Sequence, residues 1–124
     1  MYEVNVEETF AAAHNLRNYR GKCENLHGHN YKVRITLAGP EVDETGLLYD
    51  FIQLKQVIRQ VIQSLDHQYL NELPPFDRLN PSAENIARFI HDETAKRLPA
   101  APNGASVASV TVWETETTSA TYRT

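Results

Sequence analysis

An α+β fold, with an antiparallel sheet and two helices on one of its faces, is predicted by the order of periodicities along the chain. Two alternating segments come first, two segments with helical spacing follow, and two alternating segments close the chain. The length of 124 residues fits a single domain over 1–124, long enough for a real core but short for a chain that must enclose a ligand by itself. Four strands leave open edges, and open edges invite pairing of sheets across subunits.

The first strand is expected over Tyr2 to His14, where Tyr2, Val4 and Val6 alternate with Glu3, Asn5 and Glu7. Its end, Phe10-Ala11-Ala12-Ala13, offers small residues against which another element can pack closely. Asn15 to Gly21 is polar, ends in glycine and reads as a loop. The second strand runs from Tyr31 to Leu37, with Tyr31, Val33, Ile35 and Leu37 alternating with Lys32, Arg34 and Thr36. A turn-rich connection, Ala38 to Gly46, leads to a brief extended piece at Leu47-Leu48-Tyr49. Asp50 is the expected N-cap of the first helix, whose apolar stripe is Phe51, Leu54, Val57, Ile58, Val61, Ile62 and Leu65. The second helix begins near Asn80-Pro81-Ser82-Ala83-Glu84, with Asn80 or Ser82 as cap and proline in the first turn. Ile86, Phe89, Ile90 and Leu98 give it a buried side, His91 is structural or exposed, and Pro99 stops it. The third strand is expected over Ser106 to Glu116 with Ala108, Val110 and Val112 on its apolar face, and the last over Ser119 to Arg123.

The chemistry centres on Cys23-Glu24-Asn25-Leu26-His27-Gly28-His29-Asn30-Tyr31. Carried backward, the parity of the Tyr31 strand puts His27 and His29 on one face, roughly 6–7 Å apart along the chain and able to share one ion. His14, closing the first strand, is the candidate third ligand. A loop or surface role explains any one of the three. Together, three histidines favour a metal site with a position left open for water or substrate, whereas Cys23 as a fourth ligand would close it. Asp66-His67 is a second candidate, a carboxylate able to orient an imidazole for proton transfer, although neighbours in sequence need not touch. Glu114 ends a buried stripe and needs a partner, which a ligand with two parallel N–H groups or a basic side chain would supply.

A net charge of -4 argues against nonspecific nucleic-acid binding. Arg17, Arg20, Lys22, Lys32 and Arg34 nevertheless bracket the histidine motif and suggest a local anion site, with solvated charges as the plainer reading. One cysteine excludes an intrachain disulfide. No apolar run approaches a membrane span, and Met-Tyr-Glu-Val lacks the basic start of a signal peptide, so a cytoplasmic location is expected.

Phe10-Ala11-Ala12-Ala13-His14, the cysteine and HGHNY motif, Asp50-Phe51, Leu65-Asp66-His67-x-x-Leu70-Asn71, Asn80-Pro81-Ser82-Ala83-Glu84-Asn85 and Trp113-Glu114-Thr115 occur together and in order. In these motifs the chain resembles the 6-pyruvoyl- and 6-carboxy-tetrahydropterin synthase family along essentially its whole length. The resemblance implies the tunnelling fold (T-fold), in which subunit sheets join into a barrel and two trimers stack as a homohexamer with active sites at subunit interfaces. It implies that His14, His27 and His29 hold zinc, that Cys23 is the proton-abstracting thiolate, that Asp66 and His67 are its partner dyad, and that Glu114 binds the pterin ring. Zinc would act as a Lewis acid on substrate hydroxyls, and a carboxylate can accept two hydrogen bonds from a pterin edge.

The three residues between Cys23 and His27 resemble the bacterial 6-carboxy-tetrahydropterin synthases of queuosine biosynthesis, because pyruvoyl-forming members typically carry a longer insertion. The expected reaction is conversion of 7,8-dihydroneopterin triphosphate to 6-carboxy-5,6,7,8-tetrahydropterin with release of acetaldehyde and triphosphate. Pyruvoyl formation and a non-catalytic zinc module are the alternatives. Ser82-Ala83 departs from the family pattern, where threonine is common. A zinc hydrolase would need a carboxylate poised beside the metal, and no HExxH motif supplies one.

Overall fold

The computed structural model describes residues 1–124. Strand β1 (Tyr2–His14) pairs antiparallel with β2 (His27–Gly39) along its full length, from Tyr2 opposite Gly39 to His14 opposite His27. Helix α1 (Phe51–Gln63) follows, then a two-residue strand β3 (Gln68–Tyr69), helix α2 (Ala83–Arg97), β4 (Ser106–Trp113) and β5 (Ser119–Arg123). The sheet order is β3-β1-β2-β4-β5. The expected order of two strands, two helices and two strands is present, with one addition. The added β3 pairs parallel with β1 at Ala12 and Ala13.

Alternation along β1 and β2 decides which face is buried. Val6, Phe10, Ala12 and His14 share a face with Tyr31, Val33, Ile35 and Leu37, all buried, and the helices cover it, with α1 against β1 and α2 against β4 and β5. The Phe10 and Tyr31 rings stack at 4.8 Å across the hairpin.

Helix α1 starts where Asp50 accepts a hydrogen bond from the Ile52 N–H, as its capping role requires. Leu54, Val57, Ile58, Val61 and Ile62 form its buried stripe, and Leu65 is buried just beyond its end. Each side chain fully removed from water contributes about 1.5–3 kcal/mol. Phe51 departs from expectation: it is 45% exposed, at the rim of an open groove with Val6 and Lys55. Leu47-Leu48-Tyr49 forms bends rather than an extended piece, with Leu48 and Tyr49 buried.

Ser82 caps α2 by accepting from the Asn85 N–H, so Pro81 precedes the cap instead of occupying the first turn. His91 is buried, its Nδ1 3.0 Å from Asp92 and its ring 5.0 Å from that of Tyr122. Strand β4 ends at Trp113 rather than Glu116, because Glu114 to Thr118 form the turn into β5, with the Glu114 N–H donating to the Thr118 carbonyl. An irregularity between Thr36 and Leu37 pairs Ser109 with Thr36 but Val107 with Leu37. The extra residue switches the buried parity, so Val107 joins Val110 and Val112 in the core while Ala108 is only half-buried.

Candidate functional site

The parity that buries Tyr31 and Val33 delivers three histidines to the open end of the β1–β2 hairpin. His14 faces His27 across the ladder, and His29 lies opposite Ala12 on the same face. Their ring centroids are 4.5–5.1 Å apart with planes steeply inclined, and one ligand nitrogen from each lies within 4.8 Å of the others.

Carbonyl groups select which nitrogen each ring offers. His14 Nδ1 lies 2.6 Å from the Pro81 carbonyl and 3.1 Å from the Tyr31 hydroxyl, and His27 Nδ1 lies 2.7 Å from the Asn25 carbonyl. A carbonyl oxygen only accepts, so Nδ1 carries the proton in both rings and Nε2 keeps its lone pair. His14 Nε2 and His29 Nε2 are buried without a hydrogen-bond partner. Buried polar atoms are ordinarily satisfied, and two orphaned imidazole nitrogens facing a third histidine are what a cation would satisfy. Burial holds the His14 and His29 imidazoles below the ordinary histidine range, opposed at His14 mainly by the Pro81 carbonyl and at His29 by Glu114. Both therefore stay neutral at pH 7, the form that ligates metal. The donor set fits a divalent transition metal with an open position.

Glu114 approaches this centre from the β4–β5 turn, its Oε1 3.8 Å from His14 Nε2. With its side chain 28% exposed, it faces the triad yet can still be reached. Tyr31 is fully buried beneath His14 and His29, and burial together with the Glu114 charge pushes its phenol well above the ordinary tyrosine range. It remains a hydroxyl.

Cys23 lies in a 3-10 turn, Lys22–Glu24, partly exposed and free. Its sulfur is not among the clustered ligand atoms, so a closed four-ligand site does not form in this chain. The loop is fastened to the strand end by the Leu16 N–H, which donates to the Cys23 carbonyl at 2.8 Å.

Asp66 and His67 do touch, with Oδ1 and Nδ1 3.0 Å apart. Two backbone contacts seat the pair: the Ala11 N–H donates to Asp66 Oδ1 at 3.0 Å, and the His67 N–H donates to the Ala11 carbonyl at 2.6 Å. The Ala11 N–H first, and His67 second, hold the Asp66 carboxyl below the usual carboxylate range. His67 adopts a left-handed backbone (φ 58°) and its side chain is 82% exposed. It lines an open cleft of about 500 Å³ with Gln68, Tyr69, the stretch from Ala11 to Ala13 and the stretch from Gly28 to Asn30, His29 included. In the β1–β2 register Ala11 and Ala13 stand opposite Asn30 and Gly28, the parity of the sheet face turned away from the triad. Within one chain, the dyad and the histidine centre are therefore on different faces.

The five basic residues around the motif do not converge. Arg17 donates to Asn80 and to the Phe76 carbonyl, while Lys32 and Arg34 pair with Glu7 and lie over the Trp113 ring. Arg20 and Lys22 stay exposed beside Cys23. Sequence reasoning offered Asn80 only as an alternative cap of the second helix, a role that Ser82 takes, and gave Asn71 no role of its own; the amides of both grip the backbone just after His14. The pairing of asparagines with a loop that follows a strand leaves no periodic signal.

Comparison with known proteins gives the family and the fold. Residues 3–124 match the family model described as 6-pyruvoyl tetrahydropterin synthase. The 6-carboxy-5,6,7,8-tetrahydropterin synthase of Bacillus subtilis is 35% identical over 98% of this chain and 85% of its own. The 6-pyruvoyl tetrahydrobiopterin synthase of Poecilia reticulata is 38% identical over 75% of this chain and 73% of its own. The solved structure of Caenorhabditis elegans 6-pyruvoyl tetrahydropterin synthase superimposes with a TM-score of 0.85 at 31% identity, covering 100% of this chain and 97% of that one. With the whole fold, the helix-covered sheet and the sequence in agreement, the chain belongs to the 6-pyruvoyl tetrahydropterin synthase family of enzymes and has its T-fold.

Proposed function

We propose that this protein is a zinc-dependent lyase converting 7,8-dihydroneopterin triphosphate and water to 6-carboxy-5,6,7,8-tetrahydropterin, acetaldehyde and triphosphate, a step toward 7-deazaguanine compounds such as queuosine. The observation that carries the reading is the cluster of His14, His27 and His29, with Nε2 left free of hydrogen-bond partners at His14 and His29 and Glu114 facing it, while the free Cys23 lies outside the cluster. Zinc held by the three imidazoles supplies Lewis-acid polarisation of the substrate's side-chain oxygens. Glu114 accepts two hydrogen bonds from the pterin 2-amino and ring N–H groups and so fixes the ring over the triad. Cys23 removes a proton from the substrate side chain as thiolate. His67, oriented by Asp66, exchanges a proton with the side-chain oxygen as carbon–carbon cleavage proceeds.

The exposure of His67 on the face away from the triad supports a site completed between subunits; the family resemblance is the ground for reading the assembly as a cytoplasmic homohexamer built as a dimer of trimers. A single domain over 1–124 supplies every one of these groups.

The short Cys23-to-His27 spacing and the Bacillus subtilis relative favour the 6-carboxy product. The Poecilia and Caenorhabditis likenesses favour a 6-pyruvoyl product instead. Incubation of the zinc-loaded protein with 7,8-dihydroneopterin triphosphate, with product masses and acetaldehyde measured together, separates them. A 6-carboxy product with stoichiometric acetaldehyde is expected; a pyruvoyl product without acetaldehyde would overturn the subtype, and no conversion would overturn the reaction.

A further inference from the structure

His14 is followed by three residues with no regular secondary structure, yet five of their six backbone N–H and carbonyl groups are held. The Asn71 side chain grips Asn15 from both ends of its peptide, accepting from the Asn15 N–H at 2.9 Å and donating to the Asn15 carbonyl at 2.9 Å. Asn80 does the same to Arg17, accepting its N–H and donating to its carbonyl, both at 2.9 Å. Each amide thus presents one donor and one acceptor to a backbone, as a neighbouring strand would. Between the two grips, Leu16 donates its N–H to the Cys23 carbonyl at 2.8 Å. One clasp and one gripped residue are further fastened: Asn85 donates to the Asn80 carbonyl at 2.9 Å, and the Tyr69 hydroxyl donates to Asn15 Oδ1 at 2.7 Å. The residue after Asn80 is Pro81, whose carbonyl holds His14 Nδ1.

We propose that Asn71 and Asn80 are positioning residues that set the distance between Cys23 and the histidine triad, by stiffening the Asn15–Arg17 segment from which both are hung. His14 precedes that segment directly, and the Cys23 loop hangs from its middle residue. Without the clasps, Leu16 can shift against His14 and carry the thiol with it. Misplacing a reacting group by about 1 Å can cost on the order of 100-fold in rate.

The role rests on the proposed reaction for its turnover readout but not for its thiol readout. Asn71→Ala and Asn80→Ala are expected to lower kcat about 10-fold or more while KM moves less than roughly 3-fold, with one zinc retained per chain. Alkylation of Cys23 by iodoacetamide in the zinc-loaded protein is expected to accelerate about 5-fold, with the far-UV spectrum unchanged. Values of kcat within about 2-fold of the parent, or loss of zinc with alkylation unchanged, would overturn the assignment. Asn71→Asp and Asn80→Asp keep the acceptor and lose the donor; they are judged by the same limits if an alanine variant does not fold. Should the parent protein turn over no pterin triphosphate, the proposed reaction fails, and alkylation alone decides the clasp.

Discussion

The two halves of the β1–β2 hairpin obey one alternation and put it to opposite uses. At Val6 and Phe10 and from Tyr31 to Leu37 the inward positions are apolar, buried and in one cluster with the helices, with Glu8, half-buried and paired with Arg59, the one inward carboxylate among them. From Ala12 to His14 and from His27 to His29 the same parity brings in imidazoles, two of them with a buried nitrogen that no protein group satisfies. The first half stabilises the fold. The second gives up stability, since an unpaired buried nitrogen costs about 1–3 kcal/mol, and leaves three imidazoles placed so that they could hold a cation.

That contrast can be broken at its strong end first. Ile35→Ala, at a fully buried position of the apolar half, is expected to lower unfolding free energy by about 2–5 kcal/mol in denaturant melts. His29→Ala in metal-free protein is expected to cost less than about 1 kcal/mol, because it deletes an unsatisfied atom along with its packing. A loss at His29 as large as at Ile35 would erase the distinction.

Metal removal probes the same half from the other side. Chelation of the zinc-loaded protein is expected to lower Tm, the stabilisation being about 4 kcal/mol when free zinc stands at 1,000 times its Kd. His27→Ala should make Tm insensitive to chelator. Equal chelator response in parent and variant would place the metal elsewhere.

Smaller effects sharpen the picture of what merely supports the site. Ser82→Ala removes the α2 cap beside Pro81 and is expected to cost about 1 kcal/mol by thermal melt. Asp66 gives the weakest signal. Its carboxyl titrates below the ordinary range in the folded chain, so its contribution is fully present above the unfolded value near 3.8 and fades as pH falls through the folded one. Asp66→Asn is expected to flatten that part of the acid limb of the stability curve; an unchanged limb would show the Ala11 contact to be without consequence.

Much of this could be read from the sequence because alternation is local. The parity of Tyr31, Val33, Ile35 and Leu37 located His27 and His29, and Asp50 before a helical stripe located the start of α1. Features fixed by distant partners were not legible. Strand β3 has two residues and exists only because β1 offers an edge at Ala12 and Ala13. The irregularity opposite Thr36 made Val107 buried in place of Ala108, a change that no alternation within β4 announces. Phe51 falls on the apolar side of the helical wheel but lies at a rim where no neighbour covers it. The opposed faces of the dyad and the triad follow from strand register and the left-handed turn at His67, which the dipeptide Asp-His does not encode.

The central claim is that three histidines hold the metal while Cys23 stands apart to do chemistry. Zinc content and turnover of Cys23→Ala, measured on one preparation, test it most directly. One zinc per chain with turnover of 7,8-dihydroneopterin triphosphate abolished is the predicted result. Loss of zinc together with a lowered Tm would make Cys23 a fourth ligand of a structural site and contradict the account.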